Sequence, residues 1–516
     1  MKSAIASLFG KKPKSYFVRD QGPLPISSLY LMIVIYLIVA WFSEGYLHAD
    51  EHFQILEFAQ YYIHHYPYQY PWELTAQMRP TFQVWLVIFI YKICALIEWQ
   101  ANPFILAFLT RGLAAILSAV SCYVFVNAFQ DELKSSNKRY YFFLLSAFSY
   151  MALRVVVHFS SETMSGELFL LGLALLPYKR HHRKQPVLNA HIIPENLLCF
   201  ISGIFLGLAF ISRYQTGLMI ASLLAWLVVF RALKLPNMMF LLGAIFCVCT
   251  LSLYIDSVFY GKLTNSAWNY FNINILQDQV SAFGKSSILE YLTVSLYPPY
   301  GGLYVVSCLY FTFMCRNHII TWIIVPFLLV HCFIGHKEVR FLLPLLGFMP
   351  FVLMYTVQEL QKKYPSRFNS PKLIALHKSA WILNGIVVIA ILGAHLDFRI
   401  YKYIWAHYAH TPVFLNYVSN KKNADNAVTS STPLRFYLPD SLYAHINTNI
   451  DTLICKKSHH VCLAWTPCSE TVINKPNMHM VYDSCYTYDF IRAHMRARWM
   501  ERSSLFRQNG RLYEIV

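Results

Sequence analysis

From about residue 26 to residue 396 the chain is a succession of apolar runs, each long enough to cross a bilayer and each closed by charges, proline or glycine. No single hydrophobic core accommodates so many. With 56% hydrophobic and 13% charged residues, a soluble globule would have too little polar surface to stay in solution. The spans predicted are 26–43, 104–129, 140–157, 163–178, 197–213, 216–233, 238–259, 302–314, 319–335, 341–358 and 380–396, with 81–97 as a further candidate. The fold class this implies is an all-α polytopic membrane protein of about eleven to twelve transmembrane helices. Its expected parts are a cytoplasmic tail at 1–25, a transmembrane domain at 26–396 and a small mixed extramembrane segment at 397–516.

The net charge of +17 does not point to nucleic acid, because Lys and Arg sit in short clusters between apolar runs, where they act as topology signals. Lys2, Lys11, Lys12, Lys14 and Arg19 precede the first run, and no small-residue cleavage site follows it, so it reads as a retained span. The other basic connectors are 131–139, 179–186 and 359–378. Positive-inside bias places all of them in the cytoplasm only if 81–97 dips into the interface without crossing. Loops 44–80, 158–162, 261–301 and 335–340 then share the non-cytoplasmic side with 397–516.

Past residue 397 turn signals alternate with short β-type runs such as 435–438 and 461–465. Cys455, Cys462, Cys468 and Cys485 fall there, an even number that suits disulfides in an oxidising compartment; a zinc site is disfavoured by their spacing. The eight remaining cysteines lie in or beside apolar runs and behave as small hydrophobes.

Four segments carry ionisable groups at the mouths of spans, where charge is costly. HADEHFQ supplies His48, Asp50, Glu51, His52 and Gln54. The pattern from Glu51 to His65 predicts an amphipathic helix lying on the membrane, with Gln54, Glu57, Gln60 and His64 facing away from its apolar side. Asp50 at its start fits either an N-cap or a general base that accepts a hydroxyl proton, with Glu51 as orienter or substitute. GHKEVRFLLP places His336, Lys337, Glu338 and Arg340 between two spans; the Lys and Arg suit phosphate oxygens, or snorkel from a solvated turn. Arg79 and Arg213 add two guanidinium groups that serve equally as interfacial anchors.

HFSSETMSGE opens a span with Glu162 among hydroxyls that can cap a helix, and Glu167 follows within the apolar run. FYGKLTNSAWNYFNIN carries Trp268, Asn269, Tyr270 and Phe271, an interfacial belt or a stacking surface for a sugar ring. No P-loop, GxGxxG, HExxH or GxSxG site occurs in usable context, and no Asp-x-Asp pair offers a metal-nucleotide site, so soluble nucleotide-sugar chemistry has no support and no cofactor is expected.

HADEHFQ, SSET, FYGKLTNSAWNYFNINIL, FGKSSILEYL and HKEVRFLLP occur in the order seen in family-22 mannosyltransferases, which this chain resembles over most of residues 26–396. The resemblance implies a GT-C catalytic domain, a dolichyl- or polyprenyl-phosphate sugar donor, a glycolipid acceptor, inversion at the anomeric carbon and no metal. It makes Asp50, beside Glu51, the catalytic position and maps the family's HKExRF segment to His336, Lys337, Glu338 and Arg340; charge then assigns donor phosphate to His336, Lys337 and Arg340 with Arg79 and Arg213. His48, Gln54, Glu162, Trp268 and Asn269 become substrate contacts. Ala49 stands where Pro is common, and Arg213-Tyr214-Gln215-Thr216 replaces the usual Arg-Pro-Thr.

HADEHFQ and LAWTPCSET favour the glycosylphosphatidylinositol-anchor branch, while a bacterial relative acting on another glycolipid fits the same residues. The implied membrane is that of the endoplasmic reticulum in a eukaryote or the inner membrane in a bacterium, with the site on the non-cytoplasmic side. The competing class is a lipid or glycolipid transporter using Arg111, Arg154, Glu167 and Asp256. That class calls for paired broken helices or internal halves, which the sequence does not display.

Overall fold

The computed structural model describes residues 22–515 apart from 65–70, 98–101, 179–192, 296–300, 369–378, 389–397, 410, 412, 419–434, 439–441, 448–460, 468–477 and 486–509. Residues 1–21 of the N-terminal tail and the basic connector at 179–186 therefore lie outside the described residues, as does the second half of the connector at 359–378.

Helices follow the apolar runs. They include α1 (Ile26–Phe42), α2 (49–64), α3 (Phe82–Leu96), α4 (Pro103–Phe129), α5 (Ser136–Phe148), α6 (Tyr150–Val155) and α7 (Ser161–Leu175). After these come α8 (Glu195–Ser212), α9 (Gly217–Val229), α10 (Leu235–Tyr260), α11 (Gly301–Met314), α12 (Ile319–Phe333), α13 (Met349–Lys363) and α14 (Arg399–Tyr408). Four stretches among the described residues are long and apolar enough to cross a membrane alone: Pro103–Glu132, Glu195–Ser212, Leu235–Tyr260 and Val339–Lys363. Helices α11 and α12 qualify together, bent by 119°, and Ile26–Phe42, Phe82–Leu96, Tyr214–Val229 and Ser379–Val388 are shorter apolar helices. The architecture is a helical polytopic membrane protein with a small mixed sheet near its C-terminus.

Two predicted spans are not single α-helices. The run 140–157 breaks at Ser149, whose backbone is extended and whose Oγ accepts from Ala152 N–H to start α6. The break is stable in an apolar setting because Asn384 completes its backbone hydrogen bonds: Oδ1 accepts from Tyr150 N–H (2.8 Å) and Nδ2 donates to Phe148 O (3.1 Å). The run 341–358 begins as a 3-10 segment, Val339–Phe348, around Pro344, which cannot donate to a helix ladder, and becomes α-helical at Met349.

The chain divides into two units. The first holds residues 1–39, 78–82 and 111–389; the second holds 40–77, 83–110 and 390–516. In the first, small residues set helix spacing. A Cβ at Gly203 on α8 would lie 2.4 Å from Leu241 O on α10, and one at Gly166 on α7 would lie 2.9 Å from Pro344 Cα. Side chains at either position would force the backbones apart.

In the second unit five strands, β1 (Val413–Val418), β2 (Leu442–Asn447), β3 (Val461–Pro467), β4 (Met478–Asp483) and β5 (Gly510–Ile515), form one sheet in the order β2-β1-β3-β5-β4. The β1 pairings with β2 and β3 are parallel; β5 pairs antiparallel with β3 and β4. Helix α14 buries Ile400, Tyr401 and Ile404, and the Tyr401 ring meets Trp465 of β3 edge-on at 5.0 Å. The run 461–465 is thus a strand, whereas Arg435–Tyr437 is a turn of 3-10 helix, contrary to the strand predicted at 435–438. Its apolar residues serve as plugs: Tyr437 packs on Phe104 and Phe398 and its carbonyl accepts from Trp405 Nε1–H (2.8 Å). Cys462 and Cys485 are disulfide-bonded; Cys455 and Cys468 lie outside the described residues. The eight cysteines of the apolar runs are free.

Candidate active site

In the first unit three distant positions meet at the start of α7. Ser160 caps that helix through Oγ, which accepts from Thr163 N–H (3.1 Å), so the hydroxyl cluster read from the sequence does end in a cap. Capping fixes the first turn and turns Glu162 inward. One carboxylate oxygen, Oε1, then accepts from two guanidinium groups, Arg213 Nη1 at 2.9 Å and Arg340 Nη1 at 3.1 Å. Arg213 is the residue at which α8 ends, and Arg340 lies in the 3-10 segment that Gly166 allows close to α7.

The side chains of Glu162 and Arg213 are only 4% and 6% exposed. At that depth, removing Glu162 takes the carboxylate partner from Arg213, at a cost of about 3–5 kcal/mol. Ser161 Oγ links the pair further, accepting from Arg213 Nη1 (3.0 Å) and donating to Glu162 Oε2 (3.1 Å). The Phe341 ring sits against both cations, with its centroid 5.3 Å from Arg213 Cζ and 5.1 Å from Arg340 Cζ.

The array continues outward. Glu338 takes the other side of Arg340, accepting from Nε (2.5 Å) and Nη2 (3.2 Å), and also pairs with His336 Nε2 (2.9 Å). Lys337 turns away from these groups: its buried ammonium donates to Ile334 O (2.6 Å) and Ser286 O (3.2 Å), while Ser286 N–H donates to Gly335 O (2.9 Å). Lys337 therefore ties the 334–338 turn to the segment at 286.

Arg79 belongs to an adjoining cluster. Its carbonyl accepts from Tyr260 O–H (3.0 Å), and its guanidinium lies 5.8 Å from the centre of the Tyr270 ring, whose hydroxyl accepts from Gln215 Nε2. Trp268 and Asn269 lie on the short helix Ser266–Phe271, which Asn265 caps; Trp268 is exposed. Asp256, a residue the transporter reading would place on a path, is occupied by Thr81, whose N–H (2.9 Å) and hydroxyl (2.5 Å) both donate to Oδ1.

The acidic segment belongs to the second unit. Helix α2 begins at Ala49, passes through a π-turn at His52–Leu56 and continues as Glu57–His64. The N-cap is His48, not Asp50: His48 Nδ1 accepts from Asp50 N–H (3.2 Å), since a residue already in the first turn cannot cap the helix that contains it. The adjacent carboxylates differ in environment. Glu51 is buried and its Oε2 accepts from Leu47 N–H (2.9 Å), whereas the Asp50 side chain is 28% exposed, with Oδ1 3.6 Å from His48 Nδ1.

Glu57 and Gln60 do not face away from the apolar side as predicted; both are buried. A π-turn inserts one residue, which rotates everything after it by roughly 100° relative to an unbroken helix. Glu57 Oε1 accordingly faces inward, 2.8 Å from His52 Nε2 and 3.2 Å from Phe436 N, which donates to it. Tyr437 stacks on the His52 ring at 5.6 Å. Gln54 Nε2 donates to Glu73 Oε1 (3.3 Å). Neither the His52–Glu57 pair nor the Glu338–Arg340 fork follows from the sequence: five residues do not bring two side chains together on a regular α-helix, and the π-turn is what does so for the first.

Comparison with known proteins adds what geometry alone does not. The chain is 26% identical over 318 residues to GPI alpha-1,2-mannosyltransferase 3 of Mus musculus, a match covering 60% of this chain and 55% of that one. It is 22% identical over 340 residues to GPI mannosyltransferase 4 of Candida albicans, covering 62% and 66%. The matches thus span between about half and two thirds of the length of these relatives. The crystal structure of ArnT from Cupriavidus metallidurans bound to undecaprenyl phosphate has the same fold, with a TM-score of 0.53 over 95% of this chain and 98% of that chain at 9% identity. Residues 27–439, which include the acidic helix, the Glu162 array and the HKEVRF turn, match the Alg9-like mannosyltransferase family, and the chain belongs to that family.

Proposed function

We propose that the protein transfers mannose from a dolichyl- or polyprenyl-phosphate donor to a glycolipid acceptor, with inversion and with cationic side chains in place of a metal. The observation that carries this reading is the pair of arginines on the buried Glu162 at the mouth of α7 in a member of a mannosyltransferase family. A lipid-linked phosphate is the anion that such an array meets at the end of a membrane helix.

In the reaction, the acceptor hydroxyl attacks the anomeric carbon as Asp50 takes its proton. The new C–O bond forms as the bond from that carbon to the phosphate oxygen breaks on the opposite face. The lipid phosphate departs with the electron pair, and Arg340, backed by Arg213, stabilises the charge it gains. The less buried carboxylate of the pair is the one suited to meet a substrate hydroxyl, and Glu51, held on Leu47 N–H, orients the turn. Lys337 supports the turn through the backbone carbonyls of Ile334 and Ser286.

The disulfide-bonded Cys462 and Cys485 favour an oxidising, non-cytoplasmic compartment for the second unit. The similarity to GPI mannosyltransferases favours a glycosylphosphatidylinositol precursor as acceptor in the endoplasmic reticulum membrane. The test is incubation of purified protein in lipid nanodiscs with radiolabelled polyprenyl-phosphate mannose and a membrane lipid extract. A labelled glycolipid of inverted anomeric configuration is the expected product; label that stays on the donor with every extract would refute the proposal.

A further inference from the structure

The Arg213–Glu162–Arg340–Glu338 array contains two kinds of carboxylate. Glu162 is 4% exposed, bridges two guanidinium groups and is held by Ser161, so it can leave only by taking the carboxylate partner from buried Arg213. Glu338 is 27% exposed, and its partners among the described residues include Arg340 and His336, each two residues away. Moving its side chain disrupts neither the α7 contact nor the α8 contact.

What Glu338 does to Arg340 is specific. Its two oxygens accept from Nε (2.5 Å) and Nη2 (3.2 Å), the side-on fork through which a guanidinium grips a carboxylate or a phosphate. Nη1, on the inner side, is committed to Glu162. An anion approaching Arg340 therefore finds its best pair of donors already taken.

We propose that Glu338 is an internal stand-in for the ligand phosphate: the phosphate group binds Arg340 by displacing the Glu338 carboxylate, while Glu162 remains as the permanent counter-ion that fixes Arg340 against Arg213. This rests on the donor-phosphate reading of the preceding section and adds the exchange to it. The sign of its consequence is unusual, because removing a residue in contact with the binding group strengthens binding. The pair is part-buried but local, its partners two residues apart, so the gain is modest, about three- to tenfold.

The test measures binding of unreactive polyprenyl phosphate to the full chain in phosphatidylcholine nanodiscs, with inorganic phosphate as competitor, for wild type, Glu338→Gln and Glu338→Ala. Thermal melting checks that each variant is folded. The expected result is a Kd about three- to tenfold lower for both variants, with inorganic phosphate competing more strongly by a similar factor. Unchanged or weaker binding in folded Glu338→Gln and Glu338→Ala overturns the exchange. Tighter lipid binding without a stronger effect of inorganic phosphate also overturns it, because the gain would then act on the prenyl chain. Wild type that binds no polyprenyl phosphate at any concentration refutes the donor reading itself, and the exchange with it.

Discussion

The cationic array and the acidic helix are assembled in opposite ways. Glu162, Arg213 and Arg340 come from three separate parts of the sequence and meet because Gly166 lets α7 approach Pro344. His48, Asp50, Glu51 and Leu47 are sequence neighbours, and one helix start arranges them. A site built from afar carries fold stability in its charges, and a local one can lose a charge and keep its shape. Within the local site the same contrast recurs, since Glu51 is bound to backbone while Asp50 remains accessible.

The comparison predicts the largest effect for Asp50→Asn. Mannosyl transfer should fall by about 10²–10⁴-fold, the usual worth of a positioned base, with expression and thermal melting unchanged. A variant retaining full activity would remove Asp50 from the mechanism. Arg213→Ala should do the converse. It removes one of the two guanidinium partners of buried Glu162 and, with Arg340 still in place, should lower stability by about 1.5–3 kcal/mol, read as a lower melting midpoint in detergent. If the protein melts like wild type, the array is not structural.

Gly166→Val tests the spacing on which the array depends. Its Cβ would press on the Pro344 backbone, so a loss of about 1–3 kcal/mol and weaker donor use should appear together. Normal melting with normal donor affinity would show that the α7 contact is dispensable. The smallest effect is expected for Glu51→Gln, which keeps an acceptor for Leu47 N–H and should cost about 1 kcal/mol while most transfer survives. Loss as severe as that of Asp50→Asn would exchange the roles assigned to the two carboxylates.

The sequence made legible whatever depends on neighbouring residues or on solvent. Apolar runs located most helices because a bilayer allows little else. The Ser160 cap and the 461–465 strand were likewise local signals. The break at Ser149 was not readable, because its backbone groups are completed by Asn384, more than two hundred residues away. Nor was the inward face of Glu57: a π-turn leaves no compositional mark, yet it carries the residue to His52 and Phe436. Charge type pointed to phosphate at HKEVRF, but the partners each cation takes were set by the fold. Lys337 went to carbonyls and Arg340 to carboxylates.

The central claim, transfer from a lipid phosphate at a site with cationic side chains, is tested most directly by counting both products of one reaction. Purified protein supplied with polyprenyl-phosphate mannose and a glycolipid acceptor should release one free polyprenyl phosphate for each mannose that appears on the acceptor. Mannose transfer from a nucleotide-linked donor in the absence of any lipid phosphate would contradict the account.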